Sequence, residues 1–348
     1  MPQPVIPESS LDALQEASRT RSSARPAGQR LDGIQELLGE ALPAMETAVQ
    51  QACRGPEPLD QASAQLVMAG GKRVRPITAL LICKACGGDP SRAVPLAASV
   101  ELIHSATLLH DDVMDEGEER RGRPASRLLW GNLVSVLSGD LLLTSALQLV
   151  LEAGIEGAMQ DTLDTMQALI AGEVAQLEAR GRQDLGVEGY LEIARGKTAS
   201  LFACACRLGA RAAGASDAVI DAVGRFGERV GIAFQIVDDV LDLEGIDHEV
   251  GKRLGHDLAE GKTTMPLALA LKEASEELHP LLIDARAGDT LAAAQVSRSQ
   301  AVRDACVQAR GYAARETDAG LAELDLLPEG RERDLLEALV RSLIDRRT

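Results

Sequence analysis

Apolar residues recur every three to four positions along most of the chain, which is the spacing of one face of an α-helix. From Leu31 onward this pattern predicts helices almost throughout, interrupted by short stretches rich in glycine and proline. The clearest segments span residues 134–152, 158–179, 187–212, 217–243 and 263–277. Ser91 is the predicted N-cap of a further helix. No segment shows the alternation typical of a strand, so the pattern predicts an all-α fold.

The same pattern predicts one domain and a tail. Residues 1–30 are rich in proline, serine and arginine, and we expect them to form a flexible N-terminal extension. No linker divides the rest of the chain into two cores, and no unit repeats at a fixed period. Residues 31–348 are therefore predicted to form a single helical domain.

Composition supports helices and excludes several kinds of partner. Aromatic residues make up only 2% of the 348 residues, and the net charge is −17, which argues against nucleic-acid binding. The cysteines at positions 83, 86, 204 and 206 lie in apolar segments and are predicted to be buried free thiols. With no signal peptide and no apolar run of about eighteen residues, we expect a cytoplasmic protein without a transmembrane segment.

Two acidic clusters with the same spacing end two predicted apolar helices. The first is Asp111, Asp112 and Asp115, and the second is Asp238, Asp239 and Asp242. Residues four apart share a helix face, where like charges repel each other and the negative end of the helix dipole. Open clusters of carboxylates suit Mg²⁺, which binds one or two of them together with phosphate oxygens. The predicted Mg²⁺ ligands are Asp111, Asp115, Asp238 and Asp242.

Basic residues occur in several short motifs along the chain. The segment GGKRVRP contains Lys72, Arg73 and Arg75, and RRGRP contains Arg120 and Arg121. Further lysines occur in short glycine-containing motifs, at Lys197, Lys252 and Lys262. None of these motifs is a P-loop between a strand and a helix. Each cation alone is typical of a protein surface, but together they predict a diphosphate site.

Six short motifs of this sequence together resemble the motifs of one known family. In chain order they are GGKRVRP, ELIHSATLLHDDVMD, RRGRP, GKTASLF, FQIVDDVLD and GKRLGHDLAEGKTTMPL. From about residue 31 to its end the chain resembles the trans-isoprenyl diphosphate synthases, or polyprenyl synthetase family, and in particular its medium- and long-chain members. The resemblance implies a bundle of mostly antiparallel helices around a deep cavity, and a homodimer. It also implies a Mg²⁺-dependent prenyltransferase that joins isopentenyl diphosphate to an allylic diphosphate.

The resemblance assigns roles residue by residue. The positions that surround Mg²⁺ and the allylic diphosphate are Asp111, Asp112, Asp115, Asp238, Asp239 and Asp242. Those that match the isopentenyl diphosphate site are Lys72, Arg75, His104 and Arg121. Those that match contacts to the allylic substrate are Arg120, Lys197, Thr198 and Gln235, with Lys252 and Lys262 as further diphosphate contacts. Lys197 is expected to act in catalysis as well as in binding.

The implied reaction begins with loss of diphosphate from the allylic substrate. The double bond of isopentenyl diphosphate attacks the resulting cation, and a proton is then lost. No nucleophilic side chain is required, which agrees with the lack of a Ser–His–Asp or Cys–His signature. Transient contact with a membrane is expected only when the product is released.

Four alternatives differ in product or class. A geranylgeranyl or farnesyl diphosphate synthase would differ only in chain length. A class I terpene cyclase would share the first acidic motif but would normally have a mixed Asn/Ser/Glu triad in place of the second. A non-catalytic subunit of a heteromeric synthase would have lost site residues that are present here. An acidic helical scaffold would not explain the paired motifs.

Product length is predicted from the residues one helical turn before Asp111. These are Ala106 and Thr107, both small, where short-chain relatives commonly have an aromatic floor. The first motif also lacks the two-residue insertion of bacterial short-chain enzymes. An open apolar channel favours continued elongation, since each buried CH₂ contributes up to ~0.8 kcal/mol. We therefore predict a medium- or long-chain all-trans product.

Overall fold

The computed structural model describes residues 33–182, 184–245 and 256–346. Nearly all regular structure in these residues is helical, so the predicted all-α fold is confirmed. In chain order the α-helices are α1 (Ala41–Ala52), α2 (Leu59–Met68), α3 (Val74–Ala85), α4 (Pro90–Met114), α5 (Ser126–Trp130), α6 (Asn132–Ala153), α7 (Ala158–Ala179), α8 (Gly186–Ala194), α9 (Ser200–Ala213), α10 (Asp217–Gly245), α11 (His256–Ala259), α12 (Met265–Arg286), α13 (Thr290–Arg298), α14 (Gln300–Glu323) and α15 (Arg331–Ile344). Residues 33–38 are also helical. The predicted N-terminal extension lies outside the described residues.

The structure corrects the predicted elements in three places. The predicted helix 187–212 is interrupted by a π-helical turn, Arg195–Ala199, between α8 and α9. The N-cap of α4 is Asp89 rather than Ser91, because the Asp89 carboxylate accepts a hydrogen bond from the Ser91 backbone N at 3.0 Å. A short antiparallel hairpin, β1 (Glu119–Arg120) and β2 (Arg123–Pro124), follows α4. Strands of two residues are too short to show an alternating pattern.

The chain divides into two compact units, and each contains one of the aspartate clusters. Among the described residues, the first unit comprises residues 33–163, Cys204–Gly224 and Asp325–Leu339. The second comprises the described residues of the ranges 164–203, 225–324 and 340–346. The single domain expected over residues 31–348 stays a prediction.

The core of the first unit is built around α4. This helix packs along α6, α3 and α1, and its side chains are buried on several faces. Leu96, Leu102 and Leu109 are completely buried. Burial on more than one side explains why α4 has a nearly continuous apolar sequence instead of a single apolar stripe. The first aspartate cluster lies at its C-terminal end.

Helix α6 buries several small residues against its neighbours and exposes some of its leucines. Ser138 and Ala146 are buried, whereas Leu133 and Leu151 are 73% and 70% exposed. By length and composition, α6 is apolar enough to cross a membrane, a property that core helices of soluble proteins share. The prediction that the chain has no apolar run of about eighteen residues is therefore wrong. Within α6, Asp140 is the only charged residue before its last turn.

The core of the second unit joins the C-terminal half of α10 to α8, α12 and α14. Buried side chains that contribute to it include Ile236, Val240, Leu278 and Val302. Helix α12 packs against α14, α13 and α8, and is kinked at Ala274. The second aspartate cluster lies on the last turns of α10, and this apolar packing fixes its position.

Candidate active site

The first aspartate cluster divides into one structural carboxylate and two more accessible ones. Asp112 is 1% exposed, and its Oδ1 accepts hydrogen bonds from Arg120 Nε at 2.8 Å and Nη2 at 2.6 Å. Asp111 and Asp115 are half-buried at the end of α4, where the Asp115 backbone N donates to the Asp111 carbonyl. Asp112 therefore anchors the hairpin that follows, and the other two aspartates are more accessible than Asp112.

The RRGRP motif forms the turn of the β1–β2 hairpin. Arg120 pairs with Arg123, and the two residues between them, Arg121 and Gly122, have positive φ angles of 54° and 71°. Two successive left-handed residues make a tight hairpin turn that matches the twist of the strands. Because of this turn, the adjacent side chains of Arg120 and Arg121 bind different partners.

Arg121 joins the hairpin to the glycine-rich segment before α3. Its Nη1 donates to the carbonyl oxygens of Leu66, at 3.2 Å, and Gly70. A Cβ atom placed on Gly71 would lie 3.2–3.3 Å from the Arg121 guanidinium, so this close approach is easiest for glycine. The two basic motifs, GGKRVRP and RRGRP, are thus packed against each other.

Arg73 fixes the GGKRVRP segment from within the core. It is 5% exposed, forms ion pairs with Glu101 and with Glu46 at 3.3 Å, and donates to the Val67 carbonyl at 2.7 Å. Its φ angle of 45° places it in the left-handed region at the N-terminal boundary of α3. A buried arginine with these partners is structural, and it holds the residues on either side of it, Lys72 and Arg75 among them.

His104 lies among the same cations. Burial, together with the charges of Arg75 and Arg121, holds the pKa of His104 well below its usual value, so the imidazole is neutral near pH 7. The Thr107 hydroxyl donates to the His104 carbonyl at 2.9 Å, one turn along α4. Three of the four residues predicted for isopentenyl diphosphate are thereby brought together, and Lys72 lies on the segment that Arg73 anchors.

The second aspartate cluster contains a buried carboxylate held by a chain of hydrogen bonds. Thr198 Oγ1 donates to Gln235 Oε1 at 2.7 Å, and Gln235 Nε2 donates to Asp239 Oδ1 at 2.8 Å. Asp239 Oδ2 accepts from the backbone N of Met265, at the start of α12, at 3.1 Å. Burial and the nearby Asp257 carboxylate raise the pKa of Asp239 to about 8. Asp239 therefore positions α10 against α12, as Asp112 positions the hairpin.

Lys197 is presented by the π-helical turn. Its Nζ lies 2.6 Å from Glu173 Oε2 on α7. The turn approaches α7 closely at two glycines, since a Cβ atom on Gly196 would lie 2.8 Å from the Gly172 Cα. π-Helical turns occur frequently at functional sites because they shift side chains out of regular helical register. The arrangement brings Lys197 to the same cavity as the second cluster.

A cavity of about 130 Å³ lies beside Asp239 in the second unit. Three residues predicted as allylic-substrate contacts line it, Lys197, Thr198 and Gln235, together with Lys262, which was predicted as a further diphosphate contact. Lys262 is paired with Glu260. The predicted contact Lys252 lies outside the described residues. Cations and neutral donors around one small cavity can bind an anion such as a diphosphate.

Two further cavity residues were not predicted from the sequence. The Gln176 side-chain nitrogen and the Thr264 hydroxyl line the cavity and are buried without a hydrogen-bond partner in the described part of the chain. Buried polar atoms normally have partners, so these two groups suit a polar ligand. Thr264 and Asp257 belong to the last of the six motifs, which could have indicated them. Gln176 and Glu173 are polar residues of an ordinary helix, and no sequence signal distinguishes them.

The donor set fits a divalent metal that is shared with a substrate. In the described residues, no three carboxylate, imidazole or thiol groups lie close enough together to form a ready-made metal site. Each cluster instead offers a pair of half-buried carboxylates four residues apart, Asp111 with Asp115 and Asp238 with Asp242. Mg²⁺ is usually bound by one or two carboxylates, with phosphate oxygens and water completing its octahedron. A metal–diphosphate complex therefore suits these donors better than a bare ion.

Comparisons with known proteins identify one family. A family model described as polyprenyl synthetase matches residues 56–301. The heptaprenyl diphosphate synthase component 2 of Geobacillus stearothermophilus is 36% identical over 313 residues, which cover 89% of this chain and 97% of that protein. The all-trans-nonaprenyl-diphosphate synthase of Rhodobacter capsulatus is 38% identical over 286 residues, which cover 82% of this chain and 88% of that protein.

The structural comparison gives the same family. A polyprenyl synthase from Caulobacter crescentus CB15, crystallised with calcium and isoprenyl diphosphate, superposes with a TM-score of 0.84 at 34% identity, covering 91% of this chain and 98% of that one. The family that the six motifs resemble is confirmed by these matches. The chain belongs to the polyprenyl synthetase family.

Proposed function

We propose that this prenyltransferase condenses isopentenyl diphosphate with an allylic diphosphate primer and releases diphosphate, giving an all-trans medium- or long-chain polyprenyl diphosphate. The observation that carries the proposal is the presence of two cationic arrangements, one in each unit. The first contains Arg75, Arg121 and the neutral His104, and the second is the cavity of Lys197 and Lys262. Two anion sites fit a reaction that joins two diphosphates better than one that cleaves a single substrate.

In the proposed reaction the side chains bind and orient the substrates. Arg75 and Arg121 hold the diphosphate of isopentenyl diphosphate, and neutral His104 donates one hydrogen bond to it. Lys197 and Lys262 stabilise the negative charge that develops on the departing diphosphate of the primer. These donors are held in place before the substrate arrives, so little reorganisation is required during bond cleavage. No covalent enzyme intermediate is needed.

The proposed cofactor is Mg²⁺, for which the pair Asp111 and Asp115 in the first unit and the pair Asp238 and Asp242 in the second unit each offer ligands. When bound, it neutralises part of the charge of the leaving diphosphate. The calcium in the Caulobacter crescentus structure supports a divalent cation with oxygen ligands. Asp112 and Asp239 support the pairs from behind, because each is buried and bonded to a neighbouring element.

The proposed chain length rests on the wall of α4. Ala106 is completely buried, and the Thr107 hydroxyl is engaged by the His104 carbonyl, so neither side chain extends far from the helix. The three phenylalanines of the chain all belong to the second unit. The names of the heptaprenyl and nonaprenyl relatives support a long product. Geranylgeranyl diphosphate is the nearest alternative.

We also propose that the active form is a homodimer, joined in part through α6. Five leucines on α5 and α6 are exposed although apolar, and they are Leu128, Leu129, Leu133, Leu137 and Leu151. Exposed apolar surface of this kind is typical of an interface. The relative named component 2 supports a second arrangement, in which a different subunit covers this surface. The oligomeric state of the chain purified alone distinguishes the two.

The proposed location is the cytoplasm, with transient membrane contact on product release. All six cysteines are free thiols, five of them buried. Free thiols are typical of a reducing compartment.

The proposal is tested by measuring diphosphate release with isopentenyl diphosphate, farnesyl diphosphate and Mg²⁺ supplied together and one at a time. We expect turnover only when all three are present. Release from farnesyl diphosphate without isopentenyl diphosphate would indicate a cyclase or phosphatase instead. Absence of turnover by the purified chain, restored by a second subunit, would support the heteromeric arrangement.

A further inference from the structure

Beyond the end of α15, Arg346 reaches the second aspartate cluster. Its Nη2 donates to Asp238 Oδ1 at 2.8 Å, and its Nε donates to the Leu343 carbonyl at 2.5 Å. The guanidinium carbon lies 4.8 Å from the centre of the Phe234 ring, within the range of a cation–π contact. The side chain is 16% exposed. Three contacts of different kinds therefore hold one guanidinium beside Asp238.

The backbone of Arg346 is fastened to the same helix as Asp238. Arg310 Nη1 on α14 donates to the Arg346 carbonyl at 3.2 Å, while Arg310 Nη2 lies 2.5 Å from Glu244 Oε2 on α10. Glu244 follows Asp238 by less than two helical turns. Arg346 is thus held relative to α10 at both its backbone and its side chain. Because both its backbone and its side chain are hydrogen-bonded, Arg346 has a fixed orientation relative to α10.

We propose that Arg346 is a positioning residue for Asp238, holding this carboxylate in the orientation in which the second cluster binds a divalent cation. The inference rests on the metal site of the proposed function. A carboxylate has two oxygens and about four lone-pair positions, so one guanidinium contact is compatible with a metal ion on the same group. Removing such a partner from a metal-binding side chain typically weakens metal affinity roughly 10- to 100-fold.

The contact depends on the shape of arginine as well as on its charge. The Nε and Nη2 atoms of one planar group reach Leu343 and Asp238 together, and the same plane covers Phe234. Lysine has a single charged nitrogen on a flexible stem and cannot reproduce this geometry. Arg346→Lys therefore retains the charge and loses the orientation, and Arg346→Met loses both.

The experiment measures how Mg²⁺ raises the thermal unfolding temperature in the presence of inorganic diphosphate. It is made on the full chain for the wild type, Arg346→Met, Arg346→Lys and a control, Arg341→Met. Arg341 lies on α15 and forms an exposed ion pair with Asp318 at 3.3 Å. We expect the Mg²⁺ concentration at half-maximal stabilisation to rise about tenfold or more in both Arg346 variants. The control should have the same midpoint as the wild type. In turnover assays, both Arg346 variants should likewise need a higher Mg²⁺ concentration than the wild type and the control.

The outcomes separate this inference from the proposed function. If the wild type shows no Mg²⁺-dependent stabilisation with diphosphate, the proposed metal site itself is wrong, and the inference falls with it. If the wild type responds and both variants have the same midpoint, only the role of Arg346 is overturned. A lower midpoint in the variants, or full recovery in Arg346→Lys, would also overturn it, since the arginine would then compete with the metal or act by charge alone. If Arg346→Met is unfolded without metal, the comparison of Arg346→Lys with the wild type decides the outcome.

Discussion

At the scale of single residues, neighbouring side chains of one motif have separate tasks. Arg120 binds the buried Asp112, whereas Arg121 packs on the backbone of the glycine-rich segment. The aspartate clusters are divided in the same way. Asp112 and Asp239 are buried supports, and the carboxylates on either side of them are more accessible. Loss of a support and loss of a ligand should therefore have different consequences.

Asp111→Ala and Asp238→Ala are expected to lower the rate about a thousandfold or more while leaving the fold intact. Loss of a metal ligand removes several kcal/mol of transition-state stabilisation, and each ~1.4 kcal/mol is tenfold in rate. Steady-state turnover at saturating substrate measures the effect. Asp318→Ala, at an exposed ion pair on α14, is the control and should be nearly normal. Near-normal turnover of Asp238→Ala, or of the wild type in EDTA, would refute the metal assignment.

The two cationic arrangements should respond to different substrates. Lys72→Ala and Arg75→Ala are expected to raise the KM for isopentenyl diphosphate more than the KM for the allylic primer. Lys197→Ala and Gln235→Ala should do the reverse, because both side chains line the cavity of the second unit. Initial rates measured while each substrate is varied in turn provide the comparison. Equal effects of all four substitutions on both substrates would mean that the sites are not separate.

At the scale of elements, sequence reasoning succeeded where the signal is local. The i, i+4 spacing of aspartates at the end of an apolar helix can be seen in a few residues, and α4 and α10 present it as expected. The π-helical turn and the hairpin depend on partners far along the chain. Lys197 meets Glu173 because two glycines allow α7 to approach, and nothing in either local sequence shows that they face each other.

Gly196→Ala is expected to destabilise the protein and to weaken the binding of the allylic primer. The added Cβ would lie 2.8 Å from the Gly172 backbone, and such overpacking typically costs ~1–3 kcal/mol. Thermal or denaturant unfolding measures the loss of stability. Gly311→Ala on α14 is the control, since its Cβ would meet only the end of a flexible arginine at 3.6 Å. That change should be neutral or slightly stabilising, and an equal loss in both variants would contradict the close approach.

Ala106→Phe and Thr107→Phe are expected to shorten the product by several isoprene units. A large ring on the wall of α4 would block the path of the growing chain, while the first condensation should remain fast. Chromatography of the dephosphorylated products gives the distribution of chain lengths. Ala106→Ser, which adds only one oxygen atom, is the control for a small substitution and should leave the product length unchanged. Unchanged product length in both phenylalanine variants would place the elongating chain elsewhere.

At the scale of the whole molecule, the sequence motifs identified the family but not the surface that we propose joins two subunits. The sequence predicts a helix over residues 134–152, and its apolar residues do not show which of them are exposed. In the structure Ser135, Ser138 and Ala146 are buried together with Leu142, whereas Leu133 and Leu151 are exposed. The spacing of apolar residues along a helix indicates how wide its apolar face is. It does not show whether that face packs against the same chain or against another chain.

Leu133→Lys combined with Leu151→Lys is expected to convert a dimer to a monomer and to lower activity. Both side chains are at least 70% exposed on α6, and burying two lysines in an apolar interface would cost several kcal/mol. Light scattering during size-exclusion chromatography measures the mass. Leu291→Lys, at a residue that is 73% exposed on α13, is the control and should leave the mass unchanged. A wild-type chain that is monomeric when purified alone would contradict the homodimer.

The most direct test of the whole account is the size of the product made by the wild-type enzyme. Labelled isopentenyl diphosphate and farnesyl diphosphate are incubated with the purified chain and Mg²⁺, and the dephosphorylated products are separated by chromatography. We expect a labelled all-trans polyprenyl alcohol longer than geranylgeraniol, and no label in this fraction when Mg²⁺ is removed. A main product no longer than a farnesyl chain, or elongation that is unaffected by removal of the metal, would contradict the account.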